Sequence, residues 1–355
     1  MRVAFVSFET VHHRDSEAND RLHTVAELLR DAGHEVHVLC ARWWGGDHPR
    51  FERDGLEYHG LSPDLESRLT FSLRLLTALR SVDPDVVHAA STPLFQVGWA
   101  GRGAALARAP LVAEWHGDDP PTGWRARRAA ARPQRIVTPS RLVRTRVRER
   151  GAAADRTAVI PDPIDVDRIR AVTPGDRRDA DVVFARHLDE DANLESLLLG
   201  LAELRSREWS AVVLGDGPER GAYEGLAEEL RIDDRVRFAG AVSREERIAA
   251  YRSAHVFAQT ASRCVFPTEL LWALACGCVG IVEYQADSSA HELVERLERG
   301  FRVTDEVELA DAIRAAGRLE RRDYDEQFER FDRDAVCARY LESYRETLDG
   351  YELSF

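Results

Sequence analysis

Short apolar runs alternate with amphipathic stretches along the first half of the chain. Each run is apolar on both faces, as parallel strands buried between two helix layers are. Each is followed by a stretch with apolar residues at helical spacing. The runs are RVAFVSF (2–8), EVHVLCA (35–41), DVVHAA (85–90), PLVAEWH (110–116) and RIVTPS (135–140). This alternation predicts a doubly wound α/β domain.

The pattern breaks near Pro161 into IPDPIDVDRIR and the turn-forming TPGDRRDAD, after which a second series begins. Its apolar runs are DVVFAR (181–186), SAVVLG (210–215), RVRFAG (235–240), HVFAQT (255–260) and CVGIVEY (278–284). A chain of 355 residues has room for two such cores. We predict Rossmann-like domains at residues 1–165 and 175–325. Apolar residues at helical spacing from Asp334 to Leu348 predict a closing helix, so that residues 326–355 return toward the N-terminal domain.

Charge and composition indicate the kind of host and exclude one class of partner. The 49 basic residues face 62 acidic ones, the net charge is −13, and the sequence contains no lysine. A surface of this kind is typical of proteins kept soluble in strong salt, so we expect a halophilic host. The chain lacks the domain-wide positive field that phosphate backbones require, and we predict no nucleic-acid partner.

The cysteines and apolar runs bear on the compartment. The five cysteines are scattered and mostly embedded in apolar runs, which is typical of reduced, buried thiols. Cys276 and Cys278 have only Gly277 between them and no second pair at zinc spacing. The N-terminal apolar run is too short for a signal peptide. The run 270–282 is too short to cross a bilayer. These features predict a cytoplasmic protein.

A ligand of such domains binds at the carboxyl ends of the strands. In the second domain these ends carry Arg186, Gly215 in the turn GDGP, and the loop that contains Phe266. We expect a helix to start near Pro267, with Thr268 able to cap it and free N–H groups open to a diphosphate. Glu269 is then either a first-turn acid favoured by the helix dipole or an acceptor for ligand hydroxyls.

The order of these landmarks resembles glycosyltransferase family 4. The passage RIVTPSRLVRTRVRERG followed by VIPDPIDVDRI is similar to the family's "S, helix, G, then I-P-N-G/P-x-D". The segment from GDGP through RVRFAGAVS to YRSAHVF is similar to "G-D-G-P … V-x-F-x-G-x-V … Y-x-x-A-D-V-F", and WALACGCVGIV lies where the family has E-A-M-A-x-G-x-P-V. The resemblance implies the GT-B fold, two Rossmann-like domains facing a cleft, and sugar transfer from a nucleotide-sugar donor with retention.

The sequence departs from the family pattern at charged positions. The family has two glutamates with seven residues between them, and their positions hold Cys264 and Trp272 here. Arg186 matches the family's phosphate-binding arginine, while the lysine position holds Asp191 or Ala192. The family's early glycine-rich loop is absent. We hypothesise that Glu269, one turn before Trp272, replaces the helix glutamate and binds donor hydroxyls; Trp272 is either a core residue or a site residue.

The remaining roles follow from the resemblance. His116 lies where the family has a histidine that faces the donor sugar, although a histidine satisfied within its own loop is the alternative. Asp118 and Asp119 are candidates for contacting acceptor hydroxyls or are solvated turn acids. Together with Arg186, the N–H groups of Thr268 and Glu269 would stabilise the leaving diphosphate. The reaction then needs no metal and no cofactor.

Ten arginines against the single acid Glu149 occupy residues 124–150. This reversal of charge predicts either contact with an anionic membrane, at its inner face, or an ion-paired surface toward acidic helices. The acceptor is expected to be a glycan, a lipid-linked or a protein-linked group.

Three functions therefore compete. The first is a glycosyltransferase, and the second a non-catalytic relative that binds a sugar nucleotide or a partner. The third is a dinucleotide-dependent oxidoreductase or sugar-nucleotide epimerase. The absence of a G-x-G-x-x-G motif after the first strand argues against the dinucleotide-dependent oxidoreductase.

Overall fold

The computed structural model describes residues 1–117, 123–174 and 180–353. The chain divides into two compact units. The first comprises Met1–Asp162 and the C-terminal segment from Arg333, and the second comprises Pro163–Asp332. The unit boundary therefore lies at Asp162/Pro163, beside the expected boundary at residue 165, and the returning segment starts at Arg333 where we expected residue 326.

The first unit is built on an eight-stranded sheet with strand order β3-β4-β2-β1-β5-β6-β7-β8. All neighbours are parallel except β3 and β4. The order reverses direction between β1 and β5, so the sheet is doubly wound about that pair. The strands are β1 (Arg2–Val6), β2 (Glu35–Ala41), β3 (Arg50–Arg53), β4 (Leu56–Ser62), β5 (Val86–Ala90), β6 (Leu111–Glu114), β7 (Arg135–Thr138) and β8 (Thr157–Val159).

Helices connect these strands. In α1, the Ser16 side chain caps the start and accepts from the Asn19 N–H, and a stripe of apolar residues from Leu22 to Leu29 is buried. The helices are α1 (Glu17–Asp31), α2 (Arg68–Val82), α3 (Phe95–Ala107), α4 (Trp124–Ala131) and α5 (Arg141–Glu149), with a 3₁₀ turn at Ala154–Arg156.

The second unit contains a six-stranded parallel sheet with order β11-β10-β9-β12-β14-β16, and a separate small pair, β13 and β15. The strands are β9 (Val182–Ala185), β10 (Ala211–Leu214), β11 (Val236–Gly240), β12 (Val256–Gln259), β13 (Arg263–Cys264), β14 (Val279–Glu283), β15 (Asp287–Ser288) and β16 (Gly300–Val303). The helices are α6 (Val166–Ala171), α7 (Leu194–Ala202), α8 (Arg220–Glu229), α9 (Arg244–Ser253), α10 (Thr268–Ala275), α11 (His291–Val294) and α12 (Glu306–Ala316), with 3₁₀ turns at Glu190–Ala192 and Glu326–Phe331.

The central strands of this second sheet bury both faces. In β9, Val182 and Phe184 contribute to one apolar cluster. Val183 and Ala185 contribute to another, which also contains α10. Since successive strand side chains point to opposite faces, these two clusters are the helix layers on either side of the sheet. The expected doubly wound architecture is confirmed for each unit.

The last helix, α13 (Arg333–Glu352), packs against α1 in the first unit. It delivers Tyr340 and Tyr344 into the core. The Tyr340 hydroxyl accepts from Arg21 (2.7 Å) and donates to Glu114 (2.9 Å), and the Tyr344 hydroxyl lies 2.5 Å from His88 Nδ1. The side chains of Arg21 and Glu114 are only 2 and 3% exposed, and their charged groups pair at 2.9 Å.

This buried pair sets the charge of Glu114. Burial alone would raise the pKa of Glu114, but the adjacent Arg21 and His88 outweigh it and lower the pKa to about 2. His88 is fully buried inside β5 and belongs to this network.

Several strands were not expected from the sequence: β3, β4, β8, β16 and the pair β13–β15. The strands β3, β8 and β16 lie at sheet edges, and β13 and β15 have two residues each. The strand β4 lies one position in from the edge, and Glu57 and His59 interrupt its apolar residues. The start of α10 also differs from the expectation, because Pro267 is the N-cap and Thr268 is already helical, so Thr268 is not the cap. Among the residues that the structure describes, no helix is both long and apolar enough to span a bilayer.

Candidate functional site

The candidate site lies at the carboxyl edge of the second sheet. From β9 the chain proceeds to β10 and β11 on one side, and then crosses to β12 on the other. The carboxyl ends of β9 and β12 therefore form the switch point, where open α/β sheets bind ligands. Arg186 follows β9 directly and Gly215 follows β10 directly. The sequence placed both residues correctly.

Arg186 presents a cation at this edge. Its side chain is 19% exposed, and its Nε lies 3.9 Å from Asp189 Oδ1, too far for a hydrogen bond. Both of these atoms are buried, and neither has a hydrogen-bond partner among the described residues. A buried guanidinium nitrogen without an acceptor is costly, which is the condition an arriving anion relieves.

Gly215 allows two loops to approach each other. Its φ is +134°, and a Cβ there would lie 1.9 Å from the carbonyl oxygen of Arg186. Hydrogen bonds join the loops on both sides: Arg186 N–H donates to Leu214 O (3.0 Å) and Leu188 N–H donates to Asp216 O (3.0 Å). Gly215 thus fixes the backbone that carries Arg186, and no other residue fits there.

The N-terminus of α10 is partly open. The N–H of Thr268 donates to Phe266 O (3.0 Å), so this group is not directed at a ligand as expected. The first bond of the helix runs from Leu271 N–H to Pro267 O, which leaves the N–H groups of Glu269 and Leu270 without an acceptor inside the helix. Phe266 is 6% exposed and packs in the core cluster around α10.

The Glu269 carboxylate is held by α9. Arg244 Nη1 lies 3.0 Å from both of its oxygens, Arg247 Nη1 lies 2.7 Å from Oε1, and the Tyr251 hydroxyl donates to Oε2 at 2.5 Å. Burial and the adjacent Glu269 hold the pKa of Tyr251 well above its ordinary value. Glu269 therefore anchors α10 to α9. The hypothesis that it binds donor hydroxyls stays a prediction.

The two positions of the family glutamates are apolar and buried. Cys264 and Trp272 are each 7% exposed. Arg244 stacks over the Trp272 ring, with its Cζ 5.0 Å from the ring centroid. Trp272 also belongs to the core cluster around α10, which agrees with the core alternative.

The expected lysine position carries no cation. Ala192 is fully buried, and Asp191 accepts from the Ser262 hydroxyl at 3.1 Å. Next to it, Asn193 donates to the Thr260 carbonyl (2.9 Å) at the end of β12. These contacts close the loop after β9 against the loop after β12.

In the first unit, His116 lies two residues after β6 and is 4% exposed. The following Gly117 has a φ of +104°, and a Cβ there would meet Val143 at 2.9 Å. Asp118 and Asp119 lie outside the described residues. The role of His116 toward a donor sugar stays a prediction.

Comparison with protein families accounts for nearly all of this chain. The model of Glycosyltransferase Family 4 matches residues 18–168, and that of Glycosyl transferases group 1 matches residues 165–333. The chain belongs to the family 4 type of GT-B glycosyltransferases.

Solved structures agree with this fold. A glycosyltransferase from Rickettsia africae has a TM-score of 0.78 at 15% identity, covering 98% of each chain. Sucrose-phosphate synthase from Thermosynechococcus elongatus has a TM-score of 0.73 at 18% identity, over 98% of this chain and 99% of the other. Anabaena HepE, solved with UDP-glucose, has a TM-score of 0.66 at 17% identity, over 100% and 99%. No curated protein sequence matches the chain.

Sequence reasoning missed the partners of Glu269 in this glycosyltransferase. Arg244, Arg247 and Tyr251 are spaced i, i+3 and i+7, which places all three donors on one face of α9. This spacing in the sequence indicates that an anion binds to that face of α9. The sequence does not show that the anion is a side chain of the next helix.

Proposed function

We propose that this glycosyltransferase moves a sugar from a nucleotide-sugar donor to a glycan, lipid-linked or protein-linked acceptor, with retention and without a metal. The donor diphosphate would bind at the carboxyl edge of the second sheet. The location at the switch point of a doubly wound sheet supports this placement. The complex of Anabaena HepE with UDP-glucose also supports a nucleotide-sugar donor.

The buried Nε of Arg186, which has no hydrogen-bond acceptor among the described residues and only the distant Asp189 carboxylate (3.9 Å) nearby, is the observation that carries the proposal. The backbone of Arg186 is fixed by the close approach of Gly215. A forked, permanently charged donor held in this way is suited to a diphosphate oxygen. The cost of leaving Nε unpaired would be recovered when the ligand binds.

The start of α10 would supply the second contact. The N–H groups of Glu269 and Leu270 have no acceptor in the helix, and a helix N-terminus favours an anion. The Glu269 carboxylate does not oppose this, because two guanidinium groups, those of Arg244 and Arg247, pair with it. The cluster as a whole carries one net positive charge.

Charge and positioning then suffice for the reaction. As the bond between sugar and diphosphate breaks, negative charge grows on the leaving group, where Arg186 and the helix N–H groups would stabilise it. We assign His116 of the first unit a hydrogen bond to the donor sugar. Asp118 and Asp119 would contact acceptor hydroxyls. No residue is required as a nucleophile.

The acceptor side would contact an anionic membrane through residues 124–150. In α4, Trp124 is 68% exposed and Arg125 stacks over its ring at 5.5 Å. Arg127 and Arg128 are exposed on the same helix. An exposed aromatic among cations is typical of helices that bind the interface of anionic bilayers. The protein would then act at the inner face of the cell membrane.

A non-catalytic sugar-nucleotide-binding relative is the second candidate function. The observation that favours it is the burial of Cys264 and Trp272 where the family has glutamates. Asp191, at the lysine position, adds to this by replacing a cation with an acid.

A transfer assay with a panel of nucleotide-sugars, combined with calorimetric donor binding, tests both functions. We expect turnover by the native chain, and at least about tenfold weaker donor binding for Arg186→Gln, as for loss of a hydrogen bond to a charged group. Arg318→Gln, at an exposed arginine of the same unit, is the matched control. Donor binding without turnover would favour the non-catalytic relative. Donor binding unaffected by Arg186→Gln would reject the site.

A further inference from the structure

Two histidines and a glutamate meet on one face of the first sheet, outside the candidate donor site. His37 is on β2, and Glu57 and His59 are on the neighbouring strand β4. His37 and Glu57 are direct cross-strand partners, and His59 is two residues farther along β4. The side chains of His37 and His59 are 11 and 9% exposed, and that of Glu57 is 35% exposed. The cluster is thus enclosed on the histidine side and accessible from the glutamate side.

Three short contacts join the facing groups, and the two that involve Glu57 go to different oxygens of its carboxylate. His37 Nδ1 lies 3.1 Å from His59 Nε2 and 3.2 Å from Glu57 Oε2. His59 Nε2 lies 3.4 Å from Glu57 Oε1. In a tetrahedral zinc site with bonds of about 2.0–2.1 Å, two ligand atoms are separated by about 3.3–3.4 Å. The three contact distances are therefore close to the edge lengths of such a site.

Hydrogen bonding cannot satisfy all three contacts while Glu57 is ionised. In that form the carboxylate, which also pairs with Arg50 (3.1 Å), only accepts hydrogen bonds. Each nitrogen either donates or accepts, so one of the three contacts always joins two donors or two acceptors. A cation that takes a lone pair from each group removes this conflict.

Glu35 selects the matching form of His37. Its Oε1 lies 2.9 Å from His37 Nε2, so that nitrogen carries the proton and donates to Glu35. In the neutral ring, Nδ1 then presents a lone pair to the cluster. A carboxylate that orients a histidine from the far side of its ring is the usual support of a metal-bound histidine.

We propose that His37, Glu57 and His59 bind one Zn²⁺ ion, with Glu35 as a positioning residue. Two histidines and a carboxylate are a known zinc ligand set and leave a fourth position for water. The site lies toward the amino end of β2, since His37 is two residues from its start at Glu35. Ligands of a parallel sheet bind at the opposite, carboxyl end. The ion would therefore fasten the β3–β4 hairpin to β2 rather than take part in sugar transfer.

Binding of Zn²⁺ and Co²⁺ to the untagged, metal-stripped chain tests the proposal, by calorimetry and by the visible absorption of tetrahedral Co²⁺. We expect one ion per chain and a rise in melting temperature with Zn²⁺. His59→Gln should abolish the absorption. Glu35→Gln, which leaves all three ligands in place, should weaken binding about 10- to 100-fold, as expected for loss of an outer carboxylate.

Two histidine variants are the controls. His48→Gln removes an exposed histidine of the same unit and should change nothing. His34→Gln removes the histidine whose Nδ1 lies 3.1 Å from the N-terminal amine, a pair able to bind metal adventitiously. Absence of stoichiometric binding, or binding lost with His34→Gln and kept with His59→Gln, overturns the proposal. Circular dichroism of each variant separates loss of a ligand from loss of the fold.

Discussion

Replacing Glu269 by glutamine tests whether this carboxylate holds the fold or the ligand. In the structure it accepts from Arg244, Arg247 and Tyr251, and its side chain is 19% exposed. Glutamine keeps one acceptor oxygen, but its NH₂ group is a donor. That group would face N–H or O–H donors of α9 that in the native protein meet a carboxylate oxygen. We expect the second unit to lose stability, while donor binding changes little.

The magnitude follows from the contacts that are lost. A hydrogen bond to a charged group contributes about 1.5–3 kcal/mol, and a partly exposed ion pair about 0.2–1 kcal/mol. The two arginines are about 30% exposed, so we take the lower part of these ranges for them. The sum is about 2–3 kcal/mol for Glu269→Gln. Glu269→Ala should cost about 1–3 kcal/mol more, because it leaves the buried Tyr251 hydroxyl without an acceptor.

Urea unfolding combined with amide hydrogen exchange measures this loss. The two units need not unfold together, so exchange in peptides from α9 and α10 should report the local change. Glu298→Gln, at an exposed glutamate of the same unit, should change stability by less than about 0.5 kcal/mol. A double-mutant cycle with Tyr251→Phe should show coupling of at least about 0.5 kcal/mol. Unchanged stability with donor affinity at least tenfold lower would refute the anchoring argument and support donor-hydroxyl binding.

Three further changes have expected outcomes. Gly215→Ala should weaken donor binding about 10- to 100-fold in calorimetry, because the new Cβ would lie 1.9 Å from the Arg186 carbonyl oxygen and push that residue away. Gly221→Ala is the control and should have no effect, because the space around Gly221 is open. Acid unfolding should include a step from Glu114, because the pKa of this residue in the folded protein is about 2, below its ordinary value. The ionised carboxylate therefore stabilises the folded state fully above about pH 4.5, and this stabilisation is lost as the pH falls toward 2. Glu114→Gln should remove that step. Sedimentation with anionic vesicles should show binding through residues 124–150 that weakens with salt, by about 1 kcal/mol for each arginine of α4 replaced by glutamine.

Each of these expectations has a contradicting result. Equal donor affinity for Gly215→Ala and the native chain would mean that the turn does not position Arg186. An acid transition of Glu114→Gln that coincides with that of the native chain would place the responsible carboxylates elsewhere. Equal sedimentation with neutral and anionic vesicles would reject the electrostatic membrane contact.

The predictability of the strands depended on where they lie in each sheet. Central strands such as β9 and β12 are apolar on both faces, and their positions were read correctly. The edge strand β3 was missed because all four of its residues are exposed. Its neighbour β4 was missed because Glu57 and His59 interrupt its apolar residues. One signal for them was available: Asp54–Gly55 forms the turn between them, both with positive φ, as in the favoured two-residue hairpins.

The candidate site was predictable as far as it depends on strand ends. Arg186 and Gly215 follow directly from the strand pattern, because the carboxyl ends of parallel strands meet at one edge. The closeness of Gly215 to the Arg186 carbonyl depends on how two loops pack, which no local pattern encodes. The same holds for Thr268, whose N–H donates to Phe266 two residues earlier in the turn before the helix.

The role of Glu269 depends on the residue at position 272. The resemblance implies a glutamate at Trp272, but an aromatic ring stands there and Arg244 stacks on it. A guanidinium over a ring still requires an acceptor for its N–H groups, and Glu269 supplies one at 3.0 Å, three residues earlier on nearly the same face of α10. The carboxylate at the head of the apolar run is therefore explained by α9, which packs over that run and carries the cations that pair with it. The spacing between Glu269 and Trp272 alone does not reveal that Arg244, Arg247 and Tyr251 already donate hydrogen bonds to the Glu269 carboxylate.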